Sequence, residues 1–177
     1  MMRFPYLCCF LLLIGILIAG CASPGGTGQG AAPAPTPEPS AAGPADFSHV
    51  AGIDVVVIGK DWDFVPGNDG IIIYPDLKDV NQKSVLWEGM PLPADVEIWS
   101  AKSGVDQKET KDQLVYRGSG NITSWRDGKI LMGGGIRIPF TVMKVPEGKI
   151  TGITYVTVHT TDGKTYTGYS GTTPLIP

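Results

Sequence analysis

Cysteine is scarce in this chain, and the three present, Cys8, Cys9 and Cys21, all lie within its first 21 residues. Residues 22–177 contain none. That part of the chain therefore has no disulfide, no iron–sulfur ligand and no thiol nucleophile. Histidine is almost as rare, with His49 and His159 alone. A zinc site wants three or four suitable ligands, and the sequence clusters none. Charge is sparse and mixed: 14 Lys and Arg stand against 17 Asp and Glu, a formal net charge of −3. Without a basic stripe, nucleic acid is not an expected partner. No window of about 11 residues carries a helical apolar period. Motifs of catalysis are missing as well. No Gly-x-Ser-x-Gly elbow occurs, Gly118-Ser119-Gly120 reads as a turn, and Gly133-Gly134-Gly135 lacks the Gly-Lys-Ser/Thr of a phosphate loop. No pair of acids is placed as glycoside hydrolysis requires. The expectation is a protein that is not an enzyme and needs no cofactor.

The beginning of the chain is richer in information. Residues 4–20 are almost all apolar, with Arg3 before them. The apolar core from Phe10 to Ala19 is about half the length needed to span a bilayer, about 20 residues. A short apolar core that ends in small residues reads as a secretory signal. The run closes on Ile18-Ala19-Gly20-Cys21. This resembles the lipobox of prokaryotic, including archaeal, lipoprotein precursors. The resemblance implies removal of residues 1–20 as a signal peptide and a diacylglyceryl-type lipid on Cys21, the new N-terminus. It further implies a membrane-anchored protein facing away from the cytoplasm, at the cell surface or on the periplasmic side. Two other readings of the segment are an uncleaved anchor helix from Met1 to about Ala22 and a buried helix.

Residues 21–48 then carry the lipidated cysteine and a Gly/Ala/Pro tether. With little apolar bulk, such a segment cannot offset its ordering entropy. Its proline part favours polyproline II at about 3.1 Å per residue, which suits a spacer.

Residues 50–177 are patterned as strands. The runs are Ile53–Ile58, Ile71–Tyr74, Lys83–Trp87, Asp95–Trp99, Leu114–Arg117, Asn121–Trp125, Ile136–Phe140, Gly152–His159 and Thr165–Tyr169. Each is short, β-branched or aromatic, and bounded by turn residues. Asp106–Asp112 has no apolar stripe and reads as a loop or one short turn. Thr161-Asp162-Gly163-Lys164 predicts a hairpin pairing Thr154–Thr160 with Lys164–Tyr169, because Asp-Gly accepts positive φ. Pro139 lacks an amide donor and puts its strand at an edge or bulge. Eight or nine short strands predict an all-β fold, an antiparallel sandwich, with a barrel as the alternative. In strand number and turn placement the domain is similar to immunoglobulin- or fibronectin-like surface modules. The Cys…Trp…Cys pattern of antibody domains is absent.

Several residues are candidates for contact. If Val96 and Ile98 face the core, Trp99 faces outward, where it can stack on a sugar or anchor a protein contact. Trp62 and Tyr155 are the other binding candidates. Asp61, Asp63, Asn68 and Asp69 offer oxygen ligands of the kind calcium takes, without the EF-hand spacing. The plainer alternative is an acidic loop held by Asx turns. Asn121-Ile122-Thr123 matches an N-glycosylation acceptor. His159 shares its strand phase with Tyr155 and Thr157, which predicts a polar, partly exposed face. The expected function is a lipid-anchored structural or accessory module of the envelope. The alternatives are a binding module for envelope proteins or surface glycans, and a calcium-binding domain.

Overall fold

The computed structural model describes residues 45–63, 65–103 and 109–177. The leader, Cys21 and the tether up to residue 44 lie outside them. Among the described residues no helix is long and apolar enough to cross a membrane. Seven strands form two antiparallel sheets. They are β1 (Gly52–Lys60), β2 (Gly70–Lys78), β3 (Glu88–Ser103), β4 (Glu109–Ser124), β5 (Ile136–Pro139), β6 (Thr151–His159) and β7 (Thr165–Pro174). The smaller sheet has the order β1-β2-β5 and the larger β4-β3-β6-β7.

The predicted hairpin forms, with Thr157 opposite Thr167 and Gly163 at φ +81°. Pro139 ends β5, which pairs with β2 alone and is an edge strand. The expected count of eight or nine strands falls to seven among the described residues for two reasons. Leu114–Arg117 and Asn121–Trp125 belong to one strand, β4, apart from Trp125, which starts a 3-10 turn. Gly118-Ser119-Gly120 makes no turn but pairs with Val96, Asp95 and Ala94. Its glycines make room for neighbours: a Cβ on Gly120 would stand 2.9 Å from the Ile136 side chain. Lys83–Trp87 is not a strand either. It makes one bridge, Lys78 to Ser84, and a Val85 N–H bond to the Leu77 carbonyl, before Trp87 turns into the core. The expected loop at Asp106–Asp112 is strand from Glu109 onward, since Thr110 and Lys111 pair with Lys102 and Ala101; residues 106–108 lie outside the described residues.

Inward residues of both sheets make the core, among them Ile71, Ile73, Leu92, Val96, Ile98, Ile122, Val156 and Val158. Phe47 joins it, edge-on to Trp87 at 5.9 Å, so packing starts three residues before the expected domain start at 50. β1 and β7 run side by side without a shared ladder. A Cβ on Gly168 of β7 would meet the Ile53 carbonyl of β1 at 2.6 Å.

β2 is buried on both faces. Ile71 and Ile73 face the core, while Ile72, Tyr74 and Asp76 are also buried. The segment 125–135 supplies this second cover. It starts with a 3-10 turn, Trp125–Gly128, capped reciprocally by Ser124 and Asp127. It ends at Gly135, whose φ of +95° and closeness to Ile72 admit no side chain. Asp76 ties it to the sheet. Its carboxylate lies 2.6 Å from Lys78 Nζ and 2.6 Å from Lys129 Nζ, and accepts from Ser84 Oγ at 2.9 Å. The hydrogen bond to Asp76 holds the Lys78 ammonium above its ordinary pKa. Removing one partner of a buried pair strands the other charge. Asp76→Ala should therefore destabilise the domain by about 3 kcal/mol, the lower end for such pairs because Lys129 still reaches water. Urea unfolding followed by tryptophan fluorescence checks this.

Candidate functional site

Side chains alternate across a strand, so with Val96 and Ile98 in the core the odd residues of β3 point away from it. Asp95, Glu97 and Trp99 lie on this outer face. The ladder sets Tyr155 opposite Glu97 and Tyr169 opposite Tyr155. Three aromatic residues thus cross β3, β6 and β7 in a diagonal row. Tyr155 and Tyr169 stack with centroids 5.7 Å apart, and Tyr169 is 65% exposed. Lys111 of β4 places its ammonium 3.6 Å from the Tyr155 centroid and 5.0 Å from that of Trp99. The Trp99 indole N–H donates to Glu97 Oε2 at 3.0 Å, and Arg117 Nη2 holds Glu97 Oε1 at 2.8 Å. The indole bond, then Arg117 and Lys111, keep the Glu97 carboxyl below its ordinary pKa. Trp99 is half-buried among these partners, and Ile153 opposite it on the same face is buried.

Trp99 and Tyr155, both candidates from the sequence, come together here. Trp62 does not join them: its ring packs at Gly70, at the β1–β2 turn. Tyr169 and Lys111 escaped the sequence reading. The Asp162-Gly163 hairpin register places Tyr169 beside Tyr155, so that signal was present. Lys111 was hidden because its segment lacks alternation.

His159 lies on the same face, its Nε2 2.8 Å from Asp95 Oδ2. Thr157 and Thr167 share a hydrogen bond of 2.8 Å beside it. The face offers rings, a cation and carboxylates on an open sheet, an arrangement suited to contact.

The second constellation is the β1–β2 connection. One carboxylate oxygen from each of Asp61, Asp63 and Asp69 lies within 4.8 Å of the others, close enough to hold a divalent cation such as Ca2+. Asp69 Oδ2 also accepts the amides of Trp62 at 2.6 Å and Asp63 at 3.1 Å, so it organises the loop. The Asn68 amide leans on Gly59. Asn121 is exposed on β4, opposite Pro93. His49 is exposed and pairs with Asp46 at 3.4 Å.

Glu97 makes the aromatic face sensitive to acid. A carboxylate whose pKa is lower in the folded than in the unfolded state adds stability above the unfolded value, about 4.3 for Glu. That stability is lost as pH falls through the lower folded value. The melting temperature should drop on acidification below about pH 4.3, and Glu97→Gln should make that drop shallower. Calorimetric melts of both proteins across this range provide the measurement.

Compared with known proteins, the chain matches no family model, no curated protein and no solved structure.

Proposed function

We propose that this chain is a lipid-anchored binding module without a catalytic role, held outside the cytoplasm on a tether. Its outer sheet face meets an envelope protein or a surface glycan. The Trp99–Tyr155–Tyr169 row, with Lys111, Glu97 and Arg117 around it, carries the reading. Contact hot spots are enriched in Trp, Tyr and Arg, the residue types gathered here. The row favours binding over a purely structural envelope role, which asks only for a polar surface. The two antiparallel sheets support kinship with immunoglobulin- or fibronectin-like surface modules. His159 and Asp95 lie on an open face, whereas general acid–base work is helped by a pocket that gathers titratable groups. The anchor rests on Ile18-Ala19-Gly20-Cys21.

Purification from native membranes tests both halves. The N-terminal peptide should begin at Cys21 and carry the mass of a lipid; an intact Met1 or a bare Cys21 ends the anchor reading. Partners that co-purify should be captured at least about tenfold less when Trp99 and Tyr169 are both alanine. Equal capture by the variant removes this face as the contact.

A calcium-binding role is a second reading, favoured by the convergence of Asp61, Asp63 and Asp69. Titration calorimetry should then show heat at millimolar or lower calcium, and silence ends it.

A further inference from the structure

We propose that Ile130, Leu131 and Met132 form a second membrane contact, an apolar turn that seats in the headgroup region of an anionic bilayer. The inference rests on the reading that Cys21 anchors the chain to a membrane. The three residues make a 3-10 turn in the segment that covers the outside of the smaller sheet. They are 47%, 95% and 55% exposed, and Val56 lies exposed in the same cleft. Consecutive open apolar side chains of this kind mark a contact surface.

The turn is held in place. Lys129 before it is fastened to Asp76, and the Met132 N–H donates to the Lys129 carbonyl at 3.1 Å. Gly133 after it has φ +77°. The apolar side chains are therefore displayed from a fixed backbone.

Charge selects a bilayer as the occupant. One flanking cleft is lined by Lys60 and Arg137, the other by Lys78 and Lys129 with Asp54 and Asp76. Lys78 and Lys129 are taken up by Asp54 and Asp76, which leaves Lys60 and Arg137 as the cations of this surface. Neither Lys60 nor Arg137 has an ion pair among the described residues. An apolar tip beside two cations complements anionic headgroups above acyl chains. Trp125, a residue type that favours membrane interfaces, lines the second cleft.

The test uses the chain beginning at Ala22, without lipid; the core, from Phe47 to Leu175, stays whole. It should co-sediment with vesicles of phosphatidylglycerol and phosphatidylcholine. Leu131→Asp, at a fully open position, should lower retention at least about tenfold. Lys60→Ala with Arg137→Ala should weaken binding to these vesicles and leave binding to pure phosphatidylcholine unchanged. Equal retention of Leu131→Asp, or no retention of the parent chain, overturns the proposal. So does a concentration-dependent dimer that Leu131→Asp abolishes, which would assign the turn to a second copy. The mass of the N-terminal peptide reads the Cys21 anchor independently, so the two readings fail separately.

Discussion

The smaller sheet has a single central strand, β2, and the fold depends on that strand being covered twice. The larger sheet covers one face through the shared core. The segment 125–135 covers the other, and the Asp76 carboxylate draws Lys78, Lys129 and Ser84 onto one point. Both ammonium groups and the hydroxyl meet the same oxygen, Asp76 Oδ2. Among the described residues no buried side-chain nitrogen or oxygen lacks a hydrogen-bond partner. The same tie decides the surface: by fixing Lys129 it fixes the apolar turn that follows.

Much of the architecture was legible. The β-branched runs, the Asp162-Gly163 hairpin and the edge position of Pro139 follow from backbone chemistry alone. What stayed hidden has physical causes. Gly118 and Gly120 read as a turn because glycine allows one, yet here they yield space to Tyr116 and Ile136. The second cover over β2 leaves little periodic trace, because it is made by irregular chain. The unbroken run Ile71-Ile72-Ile73-Tyr74 hinted at it, since a strand with one wet face alternates.

The candidate face was half visible. Alternation in β3 sent Trp99 outward, and alternation in β6 sent Tyr155 the same way. Their meeting required the β3–β6 ladder, which joins segments more than 50 residues apart and has no local signature. The Asp61–Asp69 loop was the reverse case. Its carboxylates converge as their closeness in sequence suggested, and the Asx-type bonds expected of an ordinary acidic loop are there too, from Asp63 N–H to Asp61 and from Val65 N–H to Asp63.

The unladdered meeting of β1 and β7 bears on crowding. Proteins tethered to one surface collide at high local density, and open strand edges are where such neighbours fuse into shared sheets. Each of these two strands blocks access to the other, with Gly168 letting their backbones approach. Of the two remaining edges, β5 is short and β4 is covered at one point. β5 is four residues long and carries Arg137 and Pro139, and the Val115 carbonyl of β4 accepts from the Lys144 amide. On the proposed anchor, edges short, covered or interrupted in this way would disfavour strand exchange between crowded neighbours.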